Sequence, residues 1–257
     1  MENGSQSLPG KRVGLIDEIR GLSILLMVIY HLFFDLVYLY GVNIPAFNSP
    51  LLAFLQPFFA GVFIFISGVA CRYSRNNLKR GAVCFVLGLG LTAVTWLFVP
   101  DAVILFGILH FLGISMMLYA LMHRVLDRIK PWLGAAVMAV LFAVTYLVPK
   151  GALGIPPLCV YLPEGLYKTS FLFPLGLPGI GFFSADYFPL VPWLFLFFAG
   201  AYIGVYFREN CMPAWCYKTH IRPLAFVGRH TLIVYLLHQP VVYGVLYVVF
   251  LLIGKAS

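Results

Sequence analysis

Seven apolar stretches, each long enough to cross a lipid bilayer, dominate this sequence: residues 20 to 40, 51 to 71, 81 to 99, 102 to 122, 132 to 148, 190 to 207 and 231 to 253. A spanning helix needs about 20 mostly apolar residues. Inside lipid the backbone must also satisfy its own polar groups, which leaves the helix as the solution for stretches of this kind. The chain is therefore expected to be all-α, a polytopic membrane helix bundle of about seven transmembrane helices. Composition leads to the same place, because nine acidic and seventeen basic side chains in 257 residues are too few to clothe a water-soluble surface.

The basic residues report orientation. Lys11, Arg12 and Arg20, then Arg72, Arg75, Lys79 and Arg80, then Arg124, Arg128 and Lys130, then Arg208, Lys218, Arg222 and Arg229 fall on one side of seven alternating spans. Only Lys150, Lys168 and Lys255 fall on the other. The positive-inside rule then predicts a cytoplasmic N-terminus and a C-terminus outside. These bases sit in short clusters between apolar runs, so the net charge of +8 reads as topology, and no nucleic acid partner is expected. The polar opening MENGSQSLPGKR lacks the apolar core of a signal peptide, so the first run is expected to stay as a span. Cys71, Cys84, Cys159, Cys211 and Cys216 show no CxxC and no His-Cys spacing, so free thiols and no metal are expected.

Residues 1 to 257 are read as a single membrane-embedded domain, since no internal repeat or linker divides them. The stretch 149 to 190, rich in Gly and Pro (GIPP, FPLGLPGIGFF), is too long for a simple connection and too hydrophobic for disorder. It is expected on the outer face, as a lid, a re-entrant segment or an amphipathic surface helix.

Ionisable residues within spans cost free energy to insert and are functional candidates by default. In IDEIRGLSILLMVIYHLFFD, Arg20 and His31 lie eleven residues apart, about three helical turns and roughly 16 Å along one face. Asp35 follows His31 by four residues and shares that face. A carboxylate beside an imidazole fixes its tautomer and supports its protonated form, as a general base in acyl transfer requires. The alternative is that His31 only bonds a neighbouring helix. Asp17 and Glu18 are placed to pair with Arg20 across a turn, with a solvated helix start as the alternative for Glu18. His110, in FGILHFLGIS, is expected near mid-membrane, either functional or a packing residue. In FVGRHTLIVYLLHQP, Arg229 meets the cytoplasmic boundary and can bind phosphate or anionic lipid. His238 and Gln239, beside Pro240, line a cavity or bond between helices.

These segments carry a resemblance. Ile16-Asp17 and Arg20-Gly21 ahead of an apolar run ending in His31 and Asp35, FIFISG at 63 to 68, FGILHFLGIS at 106 to 115, WLFLFFAGAYIG at 193 to 204 and FVGRHTLIVYLLHQP at 226 to 240 occur in order through most of the chain. Together they resemble the bacterial membrane family grouped with the catalytic domain of heparan-alpha-glucosaminide N-acetyltransferase. The first helix is also similar to the Arg-x10-His pattern of acyltransferase type 3 proteins. The resemblance implies acyl transfer from cytoplasmic acetyl-CoA or another acyl-CoA to a hydroxyl or amino group of a sugar-like acceptor, in a bacterial inner membrane. It implies His31 as general base and Asp35 as its partner, with Arg20 as an anchor for donor phosphates. Asp17, Arg229, His110 and His238 join Arg20 as candidates for the donor site, and a homo-oligomer is left open. The rival readings are a transporter or flippase using the intramembrane His and Asp residues as a path, and a non-catalytic scaffold.

Overall fold

The computed structural model describes residues 13 to 254. Lys11, Arg12 and Lys255, used above for orientation, lie outside the described residues, as does the polar opening. The described residues form eight α-helices: α1 (Gly14–Tyr38), α2 (Pro50–Cys71), α3 (Asn77–Phe98), α4 (Ile108–Leu126), α5 (Pro131–Thr145), α6 (Leu190–Arg208), α7 (Arg222–Arg229) and α8 (Thr231–Leu252). Seven are long and apolar enough to cross a membrane, α5 together with the turn that continues it to Lys150. The fold is all-α apart from one small hairpin, as the apolar runs predict. The short α7 has no counterpart among the apolar runs, because eight residues make no run of spanning length.

The chain divides into two compact units, one of residues up to Ile66 with those from Met212, the other of Ser67–Cys211. In the first, α7 packs on α1 through glycines. A Cβ on Gly21 would strike the carbonyl of Leu224, and one on Gly228 would strike the carbonyl of Asp17. Small residues of this kind let helix backbones approach where lipid supplies no hydrophobic drive. Helix α8 meets α1 through Val242, Leu246 and Phe250, packed against Val28, Leu32, Leu36, Tyr40 and Val42. The spacing of four on both helices makes these facing stripes.

In the second unit α3 and α4 close on one another at Gly81 and Gly113, and the ring of Tyr202 on α6 lies against Gly134 of α5. The Arg72 side chain is buried. It donates from Nε to the carbonyl of Ala201 at 2.8 Å, pairs with Asp127 and lies over the Tyr119 ring.

Residues 149 to 189 contain no α-helix. They form an antiparallel hairpin of β1 (Ala152–Ile155) and β2 (Leu158–Tyr161) and several 3-10 turns. Their C-terminal part is tied to the entrance of α4: Ala185 N–H donates to Val103, Phe188 N–H to Phe106, and Leu105 N–H to Ser184 Oγ. The Tyr187 hydroxyl donates to the Phe173 carbonyl at 2.6 Å. Burial, and secondarily Tyr167, pushes this phenol above its ordinary value, which keeps it a donor.

These ties explain a difference from sequence. The fourth apolar run begins at 102, yet α4 begins only at Ile108, because residues 103 to 106 run extended against 185 to 188. His110 therefore stands in the first turn of α4 and not in its middle.

Candidate functional site

Helix α1 carries most of the candidates, and α8 supplies their partners. At one end, Arg20 Nη2 donates to Thr231 Oγ1 at 3.0 Å, joining α1 to the first residue of α8. Gly21 and Gly228, which touch, are the sequence neighbours of Arg20 and Arg229. The α1–α7 seam thus holds both arginines at one end of the unit. Arg229 is exposed and donates from Nε to its own helix at Ala225, 2.9 Å. Asp17 is half-buried on α1, with its carbonyl against Gly228.

Glu18 is not a solvated helix start. It is buried at 6% exposure, and its Oε1 accepts from the backbone N–H groups of His220 and Ile221 at the entrance of α7. A carboxylate there satisfies donors that a helix start leaves open and complements the helix dipole.

Three turns along α1, His31 is half-buried, and its Nδ1 faces the carbonyl of Met27 at 3.0 Å. A carbonyl offers only lone pairs, so this nitrogen carries the hydrogen and Nε2 keeps a free pair. His238 on α8 is arranged alike, with Nδ1 on the carbonyl of Tyr235 and Nε2 buried without a partner among the described residues. The two rings lie 5.0 Å apart between centroids, at 74°.

Asp35, 1% exposed, is gripped by Gln239, whose amide nitrogen donates to both carboxylate oxygens at 3.1 and 3.0 Å. The spacing of four predicts a His31–Asp35 pair. The structure instead gives each its own partner, and no hydrogen bond joins them among the described residues. Asp35 stands one turn from His31 on the same helix.

His110, in the other unit, is almost fully buried at 2% exposure. Its Nε2 faces Thr92 Oγ1 at 3.3 Å, while that hydroxyl donates to the Ile104 carbonyl at 2.6 Å. Thr92 has one hydrogen and gives it to Ile104, so His110 donates from Nε2. Its Nδ1 is left buried without a partner among the described residues, beside Gly88. Phe106 stacks on the ring and Phe85 meets it edge-on.

The family model described as "Heparan-alpha-glucosaminide N-acetyltransferase, catalytic" matches residues 12–240. The chain belongs to this family. No curated protein and no solved structure gives a significant match. The matched stretch runs through both compact units and includes every candidate residue from Asp17 to Gln239. The protein is thus a membrane acyltransferase, with seven helices of spanning length among the described residues. Two contacts of these residues join distant parts of the sequence. The grip of Gln239 on Asp35 joins residues 204 positions apart, and that of Thr231 on Arg20 joins residues 211 apart. The only sequence signal for the first was a polar pair, His238 and Gln239, set in an apolar run. For Thr231 there was none.

Proposed function

We propose that this acyltransferase moves an acetyl or other acyl group from cytoplasmic acyl-CoA to a hydroxyl or amino group of a sugar-like acceptor. His31 serves as general base. Family membership over residues 12–240 supports the reaction class, and the contact of His31 Nδ1 with the Met27 carbonyl, which makes Nε2 the acceptor of the neutral ring, carries the choice of base. His31 Nε2 takes the acceptor's proton as its oxygen or nitrogen attacks the thioester carbonyl. The carbon–sulfur bond breaks, and the proton passes from His31 to the departing thiolate. The charge of Asp35, held in place by Gln239, favours the imidazolium formed on the way. Thioester chemistry needs no metal for this sequence.

On this reading Arg20 and Arg229 bind the donor's phosphates, with Asp17 beside them on the α1–α7 seam. His110, sealed by Thr92 and two phenylalanines, joins helices. The donor enters from the side where the basic clusters gather, which the positive-inside rule makes cytoplasmic, with the C-terminus outside. The membrane is then the bacterial inner membrane, and both compact units work as one catalytic domain, singly or as a homo-oligomer.

The test is cleavage of acetyl-CoA by the purified protein in nanodiscs, with an alkyl glucosaminide as acceptor. Wild type should release thiol, and Arg20→Met should raise the Michaelis constant for acetyl-CoA while turnover changes little. A folded wild-type protein that neither binds nor cleaves acetyl-CoA, yet carries a solute across proteoliposomes, would instead establish the transporter reading.

A further inference from the structure

The polar cluster between α1 and α8 holds more acceptors than donors. It contains two carboxylate oxygens on Asp35, Oε1 of Gln239 and the free pairs on Nε2 of His31 and of His238, all acceptors. Its side-chain donor into the cluster is the Gln239 amide, whose single nitrogen faces both Asp35 oxygens. Nε2 of His238 and Oε1 of Gln239 are buried with no partner among the described residues. A buried acceptor without a donor is costly, and the cost disappears as soon as a donor arrives.

The only position from which the mechanism delivers a new donor is His31. When its Nε2 takes a proton from the acceptor, it becomes an N–H beside the His238 ring. The ring centres are 5.0 Å apart and nearly perpendicular. A straight N–H···N link needs roughly 3 Å between nitrogens plus about 1 Å from each ring centre to its edge, or about 5 Å. The spacing is already that of the link, and rotation of the rings completes it.

From this geometry, and resting on the reading of His31 as general base, we infer that His238 is a positioning residue for proton uptake. Its Nε2 accepts the hydrogen bond that His31 is able to donate only once it holds the acceptor's proton. The bond is absent before the reaction and present in the imidazolium state, so it lowers the barrier without tightening substrate binding. No proton leaves the pair: the one broken from the acceptor's O–H or N–H stays on His31 until the thiolate takes it. The other groups around the two rings are Asp35 and Tyr30 on α1 and Tyr235 and Gln239 on α8. Asp35 adds charge in the same direction.

The experiment follows acetyl-CoA cleavage against pH for wild type, His31→Ala, His238→Phe and His238→Gln in nanodiscs. Phe keeps the ring and removes the acceptor. Gln places its amide oxygen where Nε2 was. On this inference the His238 acceptor bonds the protonated state of His31 and not the neutral one. Loss of the acceptor should therefore move the acid limb of turnover to lower pH, by about one unit. The plateau should fall roughly tenfold to a hundredfold, with the Michaelis constant for acetyl-CoA unchanged. His238→Gln should keep the limb where wild type has it.

Full activity in His31→Ala overturns the function proposed above and this inference with it. An essential His31 combined with an unmoved acid limb in His238→Phe overturns the inference alone. If His238→Phe does not fold, His238→Ala with added imidazole or pyrrole replaces it. Rescue by imidazole only supports the inference, and equal rescue by both rings, or by neither, overturns it.

Discussion

His110, in the second compact unit, is presented in the opposite way to His31 and His238 in the first. His31 and His238 each donate Nδ1–H to a carbonyl three or four residues back on their own helix, which leaves Nε2 as a free acceptor. His123 and His230 do the same. His110 donates from Nε2 to Thr92 and turns its free pair, on Nδ1, toward Gly88. The cause is position in the helix. As the third residue of α4, His110 has Phe106 four residues back, which lies before the helix and whose carbonyl accepts from Phe188. The ring turns to a neighbouring helix, at Thr92, and becomes a joint. An intramembrane histidine is thus a candidate base when its helix takes the Nδ1 hydrogen, and a structural link when it does not.

The largest effect should come from exchanging the two kinds. His31→Ala should lower acyl transfer by about a hundredfold to ten-thousandfold, the range removed with a general base. His110→Leu should leave turnover as in wild type, because Leu fills the same apolar niche and removes a buried acceptor without a partner. Acetyl-CoA cleavage under saturating donor checks both. A large loss in His110→Leu with unchanged thermal stability would break the comparison and return His110 to the chemistry.

A smaller effect separates charge from packing within the first unit. Gln239→Leu leaves the Asp35 carboxylate buried without its two hydrogen bonds, and should cost about 2 kcal/mol of stability. Gln239→Leu combined with Asp35→Leu should recover most of that, since the uncompensated charge is gone, while transfer falls below that of Gln239→Leu alone. Thermal unfolding in detergent, read beside turnover, tests the pair. Equal stability of the single and double variants would mean that Asp35 does not depend on Gln239.

What the sequence could announce follows from where each constraint acts. The spans were legible because the bilayer demands length and hydropathy within one continuous stretch. Arg20, His31 and Asp35 were legible as one face because helical periodicity is local. The start of α4 was not, since residues 103 to 107 are as apolar as a helix but run extended against a distant segment. The partners of the site residues were not either. Gln239 for Asp35, Thr231 for Arg20 and the α7 entrance for Glu18 lie more than 200 residues away, and local pattern holds no record of such pairs.

The smallest effect tests whether His110 is a joint as its geometry says. Thr92→Val removes the hydroxyl that receives the His110 Nε2 hydrogen, leaving both ring nitrogens buried without partners. It should cost about 1 to 3 kcal/mol. The hydroxyl also donates to the Ile104 carbonyl, and that loss belongs to the Thr92 change alone. In Thr92→Val with His110→Leu the ring is absent, so only the Ile104 bond remains lost and the double variant should be more stable than Thr92→Val. The difference isolates the joint, because residues in one hydrogen-bonded network give non-additive effects. Additive effects would mean that the 3.3 Å contact carries no energy. His110 would then be held by Phe85 and Phe106 alone, and its contrast with His31 would rest on burial and not on which nitrogen donates.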